Sequence, residues 1–168
     1  MDSSDIYLIR CWRNDYDIWK WCRQNDFISD FEQREWFDKQ AKDPAIKMYK
    51  IVLSGKNDKE EDTLKIVGVC GFTSINPWCR RAEFSLYIAP AYQKNGFAEQ
   101  AMKLLLGHGF DNLGFHLIYG EVFEGNPASK LFNDLGFYFD GTRRDFYFRD
   151  GKFIDADIIS MTEFEWRS

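Results

Sequence analysis

Tyr92-Gln93-Lys94-Asn95-Gly96-Phe97-Ala98 decides how this chain is read, because it joins a β-favouring run, Ala82 to Ile88, to the longest amphipathic pattern in the sequence. From there Ala98, Ala101, Met102, Leu105 and Leu106 fall on one helical face, with Glu99, Gln100 and Lys103 turned away from it. A strand therefore enters a helix through a glycine. Backbone N–H groups at a helix start have no acceptor of their own and lie at the positive end of the helix dipole, so they converge into an anion-binding cradle. Gly96 permits close backbone approach, small Ala98 keeps the helix start near a ligand, and Gln93 and Lys94 are placed to cap phosphate oxygens. A pyrophosphate suits such a cradle.

Upstream, Ile6-Tyr7-Leu8-Ile9 reads as a short strand leading, past the caps Asn14 and Asp15, into a helix carrying Ile18, Trp19, Trp21 and Cys22. A second helix is expected from Phe31 to Ala41, stopped by Pro44. Met48 to Ser54 and Leu64 to Ser74 are strands joined by a charged, solvated loop, Gly55 to Asp62, and Asn76-Pro77 breaks the chain before Ala82 to Ile88. These three runs form an antiparallel meander. Downstream, Leu117 to Phe123 is a strand and Pro127 to Leu135 a short helix closed by Gly136. Phe137 to Phe148 and Phe153 to Trp166 flank Arg149-Asp150-Gly151-Lys152, whose Asp-Gly pair marks a hairpin. No repeat, linker or low-complexity tract interrupts residues 1–168, so one domain of mixed α/β (α+β) architecture is expected.

A length of 168 residues with 45% hydrophobic and 29% charged residues is enough for a single apolar core without disulfides or metals. The net charge of -5 supplies no basic field for nucleic acid, but it does not oppose an anionic ligand held by backbone N–H groups. Cys11, Cys22, Cys70 and Cys79 lack metal-site spacing, and only His108 and His116 are present to help them, so no metal is expected and the cysteines read as reduced. Both histidines read as packing or capping residues. The acidic start, Met1 to Arg10, is neither a secretory signal nor a membrane span, which makes a cytoplasmic protein with no membrane partner the expectation.

Glu83-Phe84-Ser85-Leu86-Tyr87-Ile88-Ala89-Pro90 before the cradle, Glu121-Val122-Phe123-Glu124-Gly125-Asn126-Pro127-Ala128-Ser129 after it, and Leu135-Gly136-Phe137 together resemble the GNAT acetyltransferase superfamily. The resemblance covers nearly the whole chain. It implies a mostly antiparallel twisted sheet of about seven strands flanked by about four helices, with splayed central strands. It also implies an N-acetyltransferase that uses acetyl-coenzyme A as co-substrate. The superfamily loop Gln/Arg-x-x-Gly-x-Gly/Ala matches Gln93, Gly96 and Ala98, so Gln93, Lys94, Asn95, Gly96, Phe97 and Ala98 are expected at the pyrophosphate. The backbone of Leu86, Tyr87 and Ile88 would pair with the pantetheine arm like an added strand. Asn126 corresponds to the asparagine that touches that arm, with Ser129, Lys130 and Phe132 near the coenzyme.

An amine attacks a thioester only when neutral, so a base is needed, and a carboxylate is the expected one. Glu83 matches the glutamate of histone acetyltransferases in the superfamily, and Glu121 the one used by ribosomal-protein N-terminal acetyltransferases; Glu83 is slightly preferred. A backbone N–H near Tyr87 or Ile88 would stabilise the oxyanion. Phe132 stands where many relatives carry a proton-donating tyrosine, so Ser129 or a water would have to replace it. That departure keeps a second reading alive: a non-catalytic acyl-coenzyme A sensor or interaction protein. Trp12, Trp19, Trp21, Phe27, Phe31, Trp36 and Phe37 would wall the acceptor side, and Trp12-Arg13-Asn14 with Ile28-Ser29 and Glu32 to Phe37 resembles the branch of ribosomal-protein and nucleotide-sugar amine acetyltransferases. The acceptor expected is a small molecule or a protein N-terminus, and the protein a monomer or homodimer.

Overall fold

The computed structural model describes residues 3–24, 26–56 and 62–168. Among the described residues one sheet has six strands in the order β1-β2-β3-β4-β6-β5: β1 Lys47–Lys56, β2 Asp62–Asn76, β3 Arg81–Ile88, β4 Leu117–Phe123, β5 Tyr138–Arg149 and β6 Lys152–Thr162. All neighbours run antiparallel except β3 and β4, which are parallel and joined by the crossover helix α4, Phe97–Gly107. This is the mixed, mostly antiparallel fold expected from the sequence. The Asp150-Gly151 hairpin joins β5 to β6, with both residues at positive φ. The loop expected between β1 and β2 lies largely outside the described residues.

Two expectations are corrected at the ends of the chain. Ile6 to Ile9 is not a strand but part of α1, Ile6–Arg13, which is why the sheet has six strands rather than seven. A strand would bury alternate residues, whereas here Ile9 is buried while Tyr7 and Leu8 face outward. Packing against α3, Asp30–Lys42, overrides the β preference of this short run. At the other end β6 stops at Thr162, whose side chain and Glu165 form a capping box that turns Glu163–Trp166 into a short helix, α6. A capping box built from Ser29 and Glu32 starts α3 in the same way. Asp15 accepts from Asp17 N–H and caps α2, Tyr16–Trp19, so one of the two expected caps holds. Asn14 instead exchanges hydrogen bonds with the backbone of Ile28, fastening the α2–α3 segment to the end of α1. Among the described residues no helix is long and apolar enough to cross a membrane.

The apolar face of α4 buries Ala101, Met102, Leu105 and Leu106 against Phe72, Phe84 and Ile118 of the sheet. Phe132, on α5 (Ala128–Asp134), and Phe137 complete this core, their rings 5.0 and 5.3 Å from that of Phe84. The contact that shapes the sheet is between Phe84 and Gly120. Ladder pairing of β3 with β4 covers Arg81↔Leu117, Ala82↔Ile118 and Glu83↔Tyr119, and then ends. The next residues along, Phe84 and Gly120, meet through the Phe84 ring, which lies where any side chain at position 120 would have to sit: a Cβ there would fall 2.4 Å from it.

Replacing Gly120 with alanine therefore forces a ring held by Phe132 and Phe137 to shift. Overpacking of this kind costs about 1–3 kcal/mol. Thermal denaturation should show a lowered midpoint; an unchanged one would mean that the aromatic cluster yields freely.

Candidate active site

Beyond Glu83 the two central strands diverge, β4 continuing on β6 through Phe123 and β3 continuing on β2 through Ile88. The space between them is a cleft of about 720 Å³. Glu83, Leu86, Tyr87 and Ile88 line it from β3, and Gln93, Lys94, Gly96, Phe97 and Ala98 from the loop and the start of α4. Glu121, Asn126 and Phe132 line it from the other side. Most of the residues singled out from the sequence thus share one cavity. Asn95, Ser129 and Lys130 lie outside its lining: Asn95 braces the loop by donating to Tyr92 O and Gln93 O, Ser129 Oγ donates to Asn126 O, and Lys130 pairs with Asp134.

The loop before α4 has the geometry of an anion cradle. Gly96 sits at φ 77° as the N-cap, and Lys94 at φ 63°, a conformation that side-chain-bearing residues rarely adopt. Gln93 Nε2 donates to Ile88 O at 3.1 Å, tying the loop to the end of β3. Gln100 N–H bonds back to Gly96 O at 3.2 Å, so the N–H groups of the preceding first turn have no acceptor inside the helix. Those donors, the dipole and the unpaired flank of β3 fit a phosphorylated ligand with an extended, amide-bearing arm. Asn126 Oδ1 accepts from Ala128 N–H at 2.9 Å, fixing this side chain at the entry to α5.

At the inner end of the cleft are two carboxylates with little exposure, 7% for the Glu83 side chain and 8% for that of Glu121. Glu83 accepts from Ser74 Oγ at 3.3 Å and pairs with Arg23 at 2.7 Å. Glu121 accepts from Tyr147 Oη at 2.6 Å and pairs with Arg143 of β5. Arg23 Nη1 is 3.9 Å from Glu121, so one guanidinium spans both acids. Burial pushes the Cys22 thiol up, so the cysteine beside this site offers no thiolate near neutral pH. Burial likewise holds the Tyr87 phenol above its ordinary range.

Arg23, Arg143, Tyr147 and Arg149 were not foreseen from the sequence. Arg149 is buried, stacks over Trp19 with its guanidinium carbon 4.5 Å from the ring centre, and donates to the carbonyls of Cys22 and Gln24. No local spacing announces these contacts, which join residues 22 to 127 positions apart. Of the early aromatics, Trp21 and Trp36 line the cleft, while Phe27 and Phe31 are exposed. His108 and His116 are held by Tyr49 and Glu163 and do not line it. Arg80 is engaged by Gly114 O and Glu163. Phe132 is packed against Phe84 and Phe137, with no proton to give.

The Tyr147 phenol is pushed up to about 12, first by burial and then by its hydrogen bond to Glu121. A proton held more tightly in the folded state stabilises the fold below the ordinary phenol value of 10.0, and that contribution is lost as pH rises toward about 12. Phenolate absorbance should show late-titrating tyrosines, Tyr87 among them, and Tyr147→Phe should remove a component near 12 and flatten the loss of stability over that window. A wild-type titration with no late component would contradict the contact.

Residues 1–137 match the family model described as an acetyltransferase (GNAT) domain. The chain is 31% identical over 106 residues to the uncharacterized N-acetyltransferase YoaA of Bacillus subtilis, covering 62% of this chain and 60% of that protein. It is 28% identical to the spermidine N(1)-acetyltransferase of Vibrio cholerae, over 93% of this chain and 86% of that one. A crystal structure of spermidine N-acetyltransferase from Vibrio cholerae in complex with CoA and spermine superposes with a TM-score of 0.88 at 24% identity, covering 100% of this chain and 95% of the other, a likeness of fold.

Proposed function

We propose that this chain, which belongs to the GNAT acetyltransferase family, acetylates a primary amine of a small polycationic acceptor, a polyamine of the spermidine kind. The family fixes the reaction class: an acetyl group passes from acetyl-coenzyme A to an amine. The observation that carries the finer reading is the pair of buried carboxylates, Glu83 and Glu121, where the central strands part. Asp17, Trp21 and Trp36 line the same cleft, and acidic and aromatic groups together suit an extended cation. The spermidine acetyltransferases among the relatives point the same way. They replace the ribosomal-protein and nucleotide-sugar branch as the guide to the acceptor.

Acetyl-coenzyme A, when bound, supplies the thioester. In our reading the first turn of α4, with Gln93, Lys94 and Gly96, holds its phosphates, and the open flank of β3 at Leu86 to Ile88 aligns its arm toward Glu83. A polyamine ammonium titrates near roughly 10, so most of it arrives protonated. Glu83, the last residue of β3 paired with β4, takes that proton, and the neutral amine attacks the thioester carbonyl; the tetrahedral intermediate then breaks its C–S bond to leave the amide and the coenzyme A thiolate, the nitrogen's surplus proton passing through solvent to the thiolate. Glu121, anchored by Tyr147 and Arg143, holds the acceptor in line. Phe132, where a proton donor would be expected, favours one competing reading, a protein that binds the acyl-coenzyme without turning it over.

Release of free thiol from acetyl-coenzyme A, assayed with spermidine, an amino sugar and an N-terminal peptide, separates these readings. Turnover should be fastest with spermidine. Glu83→Gln should lower kcat/KM by about a hundredfold or more, the usual weight of a general base, while Glu121→Gln acts mainly on KM. Turnover confined to the sugar or the peptide would remove the polyamine. Calorimetric binding of acetyl-coenzyme A with no turnover of any amine would leave the non-catalytic reading in its place.

A further inference from the structure

Arg23 lies in the segment between α2 and α3, and it lines the cleft. Its side chain is 51% exposed, whereas the Glu83 side chain that it meets at 2.7 Å is 7% exposed. Of this pair, the arginine is the partner open to solvent. Among the described residues Glu83 has no second cationic partner, and its other contact is the neutral Ser74 hydroxyl. Glu121 differs, because Arg143 and Tyr147 hold it whether or not Arg23 is near.

The backbone on both sides of Arg23 is fastened. Arg149 donates to Cys22 O and to Gln24 O, and its guanidinium is stacked over Trp19. A guanidinium departing from Glu83 therefore needs rotation about side-chain bonds and no displacement of the segment. It must depart for an acceptor to be acetylated, because an ammonium within hydrogen-bond reach of the 7% exposed Glu83 carboxylate would otherwise stand beside a second positive charge.

We propose that Arg23 is a resident stand-in for the acceptor's ammonium: it neutralises Glu83 in the waiting enzyme and is exchanged, cation for cation, when the amine docks. This rests on the reading that Glu83 receives the acceptor amine. The exchange moves no proton and breaks no covalent bond, since one positive charge leaves Glu83 as another arrives. It makes Arg23 a specificity-determining residue. An acceptor with a further ammonium in contact with Glu121 displaces it, whereas a monoamine competes at one carboxylate only.

The test compares wild type with Arg23→Gln and Arg23→Lys, using spermidine and propylamine as acceptors, in kinetics and in calorimetry of each amine against the coenzyme A complex. If the unlatched form is about a tenth of the population, Arg23→Gln should bind propylamine about tenfold more tightly and spermidine more tightly by a smaller factor. The change should appear in KM rather than kcat, with coenzyme A affinity unaltered. Propylamine should gain the most relative to wild type, and Arg23→Lys should keep wild-type KM. Weaker or unchanged amine binding by Arg23→Gln overturns the proposal, as does failure of spermidine to bind either form. If Arg23→Gln does not fold, Arg23→Met serves in its place. An active Glu83→Gln enzyme sinks the base assignment instead, so the two failures are distinguishable.

Discussion

The parallel ladder between β3 and β4 lasts three residue pairs and stops at Glu83↔Tyr119, because the next position on β4 is Gly120 and the Phe84 ring occupies the space a side chain would take there. Phe132 and Phe137 hold that ring from behind. The consequences run outward from this wedge. Past it β3 keeps a free flank, β4 leans toward β6, and the gap between them becomes the cleft. The last residue of β3 paired with β4 is a buried acid, and the loop that ends β3 delivers the start of α4 to the mouth of the same gap. A stability feature of the core thus sets the distance between the start of α4 and a carboxylate.

Charge arrangement inside the cleft follows from which elements can reach it. Glu83 and Glu121 project from the two parted strands, and their cations come from elsewhere: Arg23 from the segment after α2, Arg143 from the edge strand β5. Two buried acids without partners would be costly, so the arginines maintain the fold as well as the site. The asymmetry between them matters for function. Glu121 is held from within the sheet, while Glu83 is held by one half-exposed side chain whose backbone Arg149 secures. The acid nearer the fork is the one whose counter-ion is exchangeable.

Much of this was legible in the sequence where the signal is local. The amphipathic spacing from Ala98 to Leu106, the glycine before it and the Asp-Gly hairpin gave α4 and the β5–β6 turn directly, and β4 runs from Leu117 to Phe123 as expected. The motif residues from Glu83 to Ala98 and from Glu121 to Phe132 converge because two consecutive strand-to-helix units carry them. Ile6 to Ile9 was misread because four β-favouring residues carry less weight than packing against α3. Arg23, Tyr147 and Arg149 were invisible for a different reason: each acts on a residue far away in the chain, and nothing in its own neighbourhood distinguishes it from a surface side chain.

The central claim is that the parted strands and the start of α4 form one coenzyme site ending at Glu83. Backbone amide chemical shifts followed by NMR during titration with coenzyme A test it most directly. The account requires the largest changes at Leu86 to Ile88 on β3, at Gly96 to Ala98 and at Asn126, with β1 and the β5–β6 hairpin little affected. Saturable binding whose changes fall outside the β3–β4 fork, or no binding at all, would contradict it.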